Sequence, residues 1–354
     1  MTKDIKTTGI DEIKSEIDPD EEILDLRNYV VTLNKRIKEL KDSYGNVKTI
    51  FRDLKEHIIQ YPAQPPIYTP SEKAKRVSSP VAAVFHNTDG HMGMVQPASE
   101  IEGFGAFNPQ LCRGRQIFAA DMVVEMAELH RANYTINDCH VLVTGDMISG
   151  DIHKELTVTN AFPTPVQTAE AGKLLADVIH KLAPHFERVI VDFMVPDNHS
   201  RLTDKIQFKE AGQNSLNYLV GFIAKTILEK QENVTFNIHY QYQKVVNVIG
   251  RRYLLTHGHA IRSWMGVPYY GIEKKAGKEA MRRMVVKMGG FDRIVMGHYH
   301  APLTHPWFWI GGAVSGTDAL DFTQGRHAGP TQALWFVHPK WGEFDRSELD
   351  LSKV

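Results

Sequence analysis

The sequence predicts a layered α/β domain standing behind an N-terminal helical arm. Three observations carry this. Between residues 81 and 340, short β-rich runs alternate with segments of helical period, the pattern of strands covered by helices. Ahead of them, Leu26, Val30, Leu33, Ile37, Leu40, Tyr44, Val47, Phe51, Leu54 and Ile58 recur at alternating spacings of four and three. That is the heptad seam of a helix burying one stripe against another helix. Residues 61–80, rich in Pro and Ser, separate the two regions and read as an extended linker.

Taken in order, residues 1–22 are polar and acidic, unlike a secretory leader, and read as disordered. The arm spans residues 23–60. Gly45 and Asn46 lower helix propensity at its middle, so one helix or two fit the pattern. Its stripe serves either a homo-oligomer formed through residues 26–58 or packing against its own domain. The α/β domain is assigned to residues 81–340. Its strands are "VAAVFHNTD", "HVLVTGD", "RVIVDFMV" and "DRIVMGHYH", with a long β-rich segment from Val234 to His259. Helices are read in "QIFAADMVVEMAELHRA", "TAEAGKLLADVIHKLAPHF", "NSLNYLVGFIAKTILEKQ" and "GKEAMRRMVVKMG". Further strands follow in "HPWFWIGGAVSG" and "QALWFVHP", and residues 341–354 read as a C-terminal tail.

Composition narrows the class. A length of 354 residues with 42% hydrophobic and 23% charged residues suits an ordinary globular core. A formal net charge of −1 argues against coating nucleic acid by bulk charge. Cys112 and Cys139 make no metal-binding spacing and no disulfide framework, so a reducing, cytoplasmic setting is expected. No run of 18 apolar residues exists, so no membrane span is expected. The unusual number is 17 histidines, the commonest metal ligand and acid–base group.

Their placement is more telling than their count. In layered α/β folds the loops at the carboxyl ends of strands build the site. The first strand ends in Asp89-Gly90-His91 and the second in Gly145-Asp146. The third ends in Asn198-His199, the β-rich segment in His257-Gly258-His259, and the last unit in His298-Tyr299-His300. Each motif alone is weak. Five together deliver oxygen and imidazole donors to what should be one sheet edge. A set of Asp, Asn and His without Cys suits manganese first, with iron, zinc, nickel or magnesium as alternatives. It holds more donors than one ion needs, which points to two divalent ions. Two ions about 3.5–4 Å apart suit phosphoester hydrolysis.

These motifs, Asp89-x-His91-x-Gly93, Gly145-Asp146, Asn198-His199, His257-Gly258-His259 and Gly297-His298-x-His300, stand in the order of the calcineurin-like metallophosphoesterase superfamily. The chain resembles that superfamily over about residues 81–320, and most its DNA-repair exonuclease branch. The resemblance implies a β-sandwich flanked by helices, a four-layer α/β/β/α arrangement. It implies one ion on Asp89, His91, Asp146 and His300, and a second on Asp146, Asn198, His257 and His298, with Asp146 shared. It further implies attack by a metal-bridging hydroxide, with His199 as general acid. Arg201 is assigned to the catalytic group and to grip of a substrate phosphate, and His259 and Tyr299 to the substrate's surroundings. Asp197 replaces the usual Gly before Asn-His, and Asp is among the residues that best tolerate a glycine's backbone angle. Ser200 and Arg201 replace an acid after it, and Ser149 stands where an acid or amide is usual after Asp146.

Substrate identity is argued from three further features. Residues 94–111 form a Gly- and aromatic-rich insert that reads as a lid, a base-stacking loop or a plain surface loop. Residues 251–287 carry nine Lys and Arg against Glu273 and Glu279, with Trp264, Tyr269 and Tyr270 among them. Basic residues interleaved with aromatics suit single-stranded nucleic acid. Dimerising heptads would also bring two sites together. A phosphodiesterase acting on nucleic acid, DNA first, is therefore expected. A protein or small-molecule phosphatase is the alternative, and a non-catalytic scaffold using the arm is the reading of another class.

Overall fold

The computed structural model describes residues 26–38, 41, 79–152, 154–262 and 268–354. The chain divides into two units, Met1–Lys75 and Arg76–Val354. In the first, residues 26–38 form helix α1, on which Leu26, Val30, Leu33 and Ile37 are all exposed. The polar N-terminus, the remainder of the arm and residues 61–78 of the linker lie outside the described residues.

The second unit holds two sheets. One has six strands in the order β11 (Gly342–Asp350), β10 (Thr331–His338), β1 (Pro80–Asn87), β2 (Thr135–Val143), β3 (Arg188–Met194) and β4 (Val234–His239), the other five in the order β5 (Lys244–Val248), β6 (Arg251–Leu255), β7 (Arg293–Met296), β9 (Phe308–Ile310) and β8 (Leu303–Thr304). Strands β1 (Pro80–Asn87), β2 (Thr135–Val143), β3 (Arg188–Met194) and β4 (Val234–His239) run parallel, with Phe85 opposite Val141, Val141 opposite Val191 and Val191 opposite Phe236. Parallel pairing needs crossovers, and the chain supplies helices α2 (Pro109–Arg131), α4 (Thr164–Leu182), which follows the short α3 (Leu156–Thr159), and α5 (Asn217–Ile227). One core cluster joins Cys112, Ala119 and Val123 of α2 and Leu175 and Ile179 of α4 to Phe85, Val141 and Val191 of the sheet. A second fills the space between the sheets. There Trp335 donates its Nε1–H to the Tyr253 hydroxyl at 3.0 Å and meets Trp309 edge-on. A third packs helix α6 (Tyr269–Val285) through Ile272 and Ala276 onto Leu254, Ile294 and Ile310 of the second sheet. The layers are therefore α/β/β/α, as the resemblance implies. Among the described residues no helix is long and apolar enough to cross a membrane.

Three differences from the sequence reading have local causes. Helix α2 starts at Pro109, seven residues before the periodic segment, because Asn108 accepts the Leu111 N–H at 2.9 Å and Pro109 suits a first turn. The β-rich segment from Val234 splits into β4, which closes one edge of the first sheet, and β5 (Lys244–Val248) and β6 (Arg251–Leu255), which open the second. The tail expected at 341–354 is instead strand β11 (Gly342–Asp350), paired antiparallel to β10 (Thr331–His338), with Leu349 and Leu351 buried. Its polar run from Glu343 to Glu348 hid it, since an edge strand keeps one face in solvent.

Candidate metal centre

The parallel arrangement brings the carboxyl ends of β1, β2 and β3 to one edge, and those of β6 and β7 (Arg293–Met296) run parallel to each other in the facing sheet. The loops leaving these ends turn abruptly. Asp89, His91, Asp146, His298 and His300 all have positive φ, between 46° and 73°. Left-handed backbone is uncommon outside Gly, with Asp, Asn and His enriched there, and it concentrates where geometry serves function. Gly145 has φ 116°, and a Cβ on it would fall 2.8 Å from His257 Nδ1. Only glycine allows that loop and that imidazole to meet.

The described residues contain three groups of acidic and imidazole donors close enough to share a cation. Two are Asp146, His257 and His298, and Asp89, His91 and His300. In the first, His257 Nδ1 lies 2.9 Å from the Thr144 carbonyl, an acceptor only, so Nδ1 carries the hydrogen. Its Nε2 then faces Asn198 Oδ1 at 2.8 Å and Asp146 Oδ2 at 2.9 Å. That carboxylate oxygen is buried and makes no hydrogen bond. Three electron-pair donors thus converge where no spare hydrogen of a neutral imidazole points. Such a point needs positive charge, either a second proton on His257 or a cation. Burial works against the proton, but Asp146 outweighs it and holds His257 up at about 9. A divalent ion answers the same demand with the correct donor set.

The other group follows the same logic. His300 Nδ1 is bonded to Asp321 Oδ2 at 2.8 Å, and its Nε2 lies 3.1 Å from His91 Nε2. Two ring nitrogens about 3 Å apart match neighbours on one ion with bonds of roughly 2.0–2.1 Å. His91 Nδ1 is buried without a partner. Asp89 is fully buried, accepts from Thr88 Oγ1 at 2.8 Å and takes the His298 N–H at 3.1 Å. Burial raises the Asp89 carboxyl despite His257 and His300. Burial opposes ionisation of Asp146 too, but His257 and His199 overcome it and keep that carboxylate well below its usual range. His91 and His298 are held neutral, first by burial and then by neighbouring imidazoles, as metal ligation requires.

The remaining sequence candidates fall into two sets. His199 stands at the cluster, its ring 4.7 Å from that of His91. Its backbone N–H reaches Asp146 Oδ1 at 3.1 Å, and Nδ1 bonds the Ser149 carbonyl at 2.7 Å. His259 borders it, with its ring 5.3 Å from that of His257, Tyr242 on Nε2 and a buried, unpartnered Nδ1. Arg201 and Tyr299 are turned to other work. Arg201 spends its guanidinium on the carbonyls of Asn198, Thr203 and Asp204, closing its own loop. Tyr299 is buried, and its hydroxyl donates to the Ile261 carbonyl at 3.0 Å. Asp197 does not have positive φ. Its carboxylate accepts the Asp146 N–H at 2.9 Å and both the N–H and hydroxyl of Ser200, so it replaces glycine as a brace for the loop. Burial and then Asp146 push it up to about 6.

Sequence reasoning missed two supports. Asp321 backs His300 from the short helix α7 (Ala319–Thr323). Gln332, fully buried on β10, takes the Thr88 N–H at 2.8 Å and donates to the Thr88 and Gly312 carbonyls at 3.0 Å, clamping the first ligand loop. A glutamine inside "TQALWFV" was the available signal, because buried polar groups are there to be bonded.

No family model matches the chain, and no curated protein matches it. Solved structures give matches at low identity. Vps29 from Entamoeba histolytica, crystallised with zinc, is 13% identical with a TM-score of 0.30, covering 76% of this chain and 99% of its own. A conserved uncharacterized protein from Streptococcus pneumoniae, described as a predicted phosphoesterase, is 12% identical with a TM-score of 0.27, covering 76% and 98%. The calcineurin-like phosphoesterase YfkN from Bacillus subtilis is 10% identical with a TM-score of 0.30, covering 77% and 91%.

Proposed function

We propose that the chain is a phosphoester hydrolase dependent on two divalent cations, acting on phosphodiesters. Asp89, His91 and His300 would hold one ion, Asn198, His257 and His298 the other, with Asp146 shared. When bound, the ions supply a nucleophile at neutral pH and neutralise the charge of the phosphoryl oxygens. The observation that carries the reading is the convergence of His257 Nε2, Asn198 Oδ1 and Asp146 Oδ2 on one buried point that only positive charge, an added proton or a cation, satisfies.

The chain's own residues prepare the rest. Asp197 and Arg201 fix the loop that presents Asn198 and His199. The Ser149 carbonyl accepts from His199 Nδ1 and so fixes the ring, and acid catalysis then requires the imidazolium, whose Nε2–H is the transferable proton. The proton on His199 Nε2 passes to the leaving oxygen as the P–O bond breaks. Manganese remains the first choice of ion on donor chemistry.

A nucleic-acid strand is the diester class we favour. Its support is narrower than the composition of residues 251–287 suggests. Arg251 is paired with Glu343 and Asp292, Lys275 with Gln243, and Arg282 and Arg283 lie on Glu279. What remains is Arg252, Arg262, Lys278 and Lys287 together with an exposed aromatic edge on α6, Tyr269 and Tyr270, with Lys274 Nζ 5.9 Å from the Tyr270 ring. Trp264 lies outside the described residues. Self-association through the exposed stripe of α1 belongs to the same proposal.

The test is direct. Chelated protein should be inactive, and manganese should restore hydrolysis of bis-p-nitrophenyl phosphate more than of the monoester. Asp146→Asn should abolish both. Two ions bound per chain without hydrolysis of any ester would defeat the reading, as would activity that survives chelation.

A further inference from the structure

We propose that Asp321 is a positioning residue for the metal centre, selecting Nε2 of His300 as the coordinating nitrogen and making the two ion sites unequal. The inference rests on the metal-dependent reading above and deepens it.

The geometry is specific. Asp321 Oδ2 accepts from His300 Nδ1 at 2.8 Å, which commits Nδ1 to its hydrogen and turns Nε2 toward His91. The carboxylate cannot drift. Asp318 caps α7 by accepting the Asp321 N–H at 2.8 Å, and the Arg326 N–H returns to the Asp321 carbonyl at 2.9 Å. Arg326 also brings its guanidinium to 2.8 Å from Asp321 Oδ1. At the other end of the helix start, the Ala319 N–H is held by Gln96 Oε1 at 3.0 Å, so the insert after the first ligand pair helps seat this support.

His300, Asp318 and Asp321 are also close enough to one another to suggest a third cation site. Two facts oppose it. A nitrogen that carries hydrogen cannot ligate, and Nδ1 is committed to Asp321. The charge a cation would bring is already present on Arg326.

Beyond the Asp89 carboxylate of one against the Asn198 amide of the other, the two proposed sites then differ in a second respect. The imidazole of His300 leans on a carboxylate, whereas that of His257 leans on the neutral Thr144 carbonyl. A carboxylate partner makes the ligating nitrogen a better donor, and loss of such support typically lowers metal affinity about 10–100-fold. The ion on Asp89, His91 and His300 should therefore be the tighter of the two, and the only one sensitive to Asp321.

The experiment is manganese titration of the chelated full-length chain by calorimetry, for wild type, Asp321→Asn, His300→Ala and the double variant. The expected result is two binding events in wild type, with the tighter one weakened about 10–100-fold in Asp321→Asn and the other unmoved. In the His300→Ala background, Asp321→Asn should add nothing, since the carboxylate acts only through that ring. Equal affinities in wild type and Asp321→Asn, or equal weakening of both events, overturn the proposal while leaving the two-metal reading intact. No binding by wild type overturns both. If Asp321→Asn does not melt cooperatively in chelator, Arg326→Gln is read instead. It keeps the carboxylate and removes its clamp, and a loss confined to the same event supports the proposal, whereas no loss overturns it.

Discussion

Replacing Gly297 with alanine should remove one ion while leaving the fold. A Cβ at that position would lie 2.1 Å from Asp89 Oδ2 and 2.2 Å from Thr88 Oγ1. Ordinary contact begins near 3.4 Å, so the carboxylate must retreat by more than 1 Å. It has no easy route. Asp89 is fully buried, and the oxygen that must move already accepts from Thr88 and from the His298 N–H. Overpacking of this kind costs about 1–3 kcal/mol. Metal–ligand distances tolerate only about 0.2 Å, so an Asp89 displaced that far no longer ligates. The assay is thermal unfolding with and without manganese. Saturating metal at about 100 times Kd stabilises a protein by about 2.7 kcal/mol per site. Gly297→Ala should melt slightly lower in chelator and lose one site's share of the manganese-induced rise. Gly290→Ala, where nothing lies within 4 Å, is the control and should match wild type. A Gly297→Ala protein with the full manganese shift would show that Asp89 is not a ligand.

Three further outcomes follow from the same geometry. His199→Asn should lower kcat about 10²–10⁴-fold on esters with poor leaving groups and far less on p-nitrophenyl esters. An equal loss on both removes His199 as the acid. Arg201→Gln, which gives up three carbonyl contacts, should destabilise by about 1–3 kcal/mol and leave KM nearly unchanged, whereas a raised KM with unchanged stability would restore a grip on substrate phosphate. His86 is buried between the sheets, and burial, helped by Arg346, lowers it from 6.5 to about 3. The unfolded chain therefore binds a proton that the folded chain refuses, so stability falls as pH drops from about 6.5 toward about 3. At about 1.4 kcal/mol per pH unit the full loss is about 5 kcal/mol. Urea midpoints across that range should slope steeply for wild type and less for His86→Gln, and identical slopes would refute the assignment.

The proposed ligand residues are legible because chemistry and backbone demand the same residue types at the same places. A strand end that turns into left-handed backbone favours Gly, Asp, Asn and His, and all but Gly are also oxygen or imidazole donors. Asp89, His91, Asp146, His298 and His300 meet both demands at once, which is why short motifs single them out. Asp321 met neither test. It sits inside an ordinary capped turn of helix, behind an Asp318 that reads as a cap and nothing more. Arg201 was misplaced for the opposite reason. Its type suits phosphate, but only coordinates show that three carbonyls of its own loop already occupy it. Strand β11 escaped because half of its side chains face solvent, and β4 and β5 were joined because periodicity does not say which sheet a strand enters.

The loops that carry the proposed ligands are also bonded to one another, and this bears on what the strained backbone is for. The Asp89 N–H reaches the Gly145 carbonyl at 3.1 Å, His91 reaches Asp146 at 2.9 Å and Met92 reaches Met147 at 3.0 Å. The Gly297 N–H reaches the His257 carbonyl at 3.1 Å across the facing sheet, and His298 returns to the Asp89 carboxylate. Left-handed conformations at non-glycine residues cost about 1–3 kcal/mol each and persist only where surroundings over-determine them. Here each turn is held by the next, and all are rooted in strands that the three core clusters bury. A cation bound at the proposed site would order nothing that is not already ordered, so its binding energy would not be spent on arranging side chains. The same rigidity explains why repelling donors tolerate one another beforehand: Asp197, Thr88, Gln332 and Asp321 hold them from behind by hydrogen bonds that do not depend on the ion.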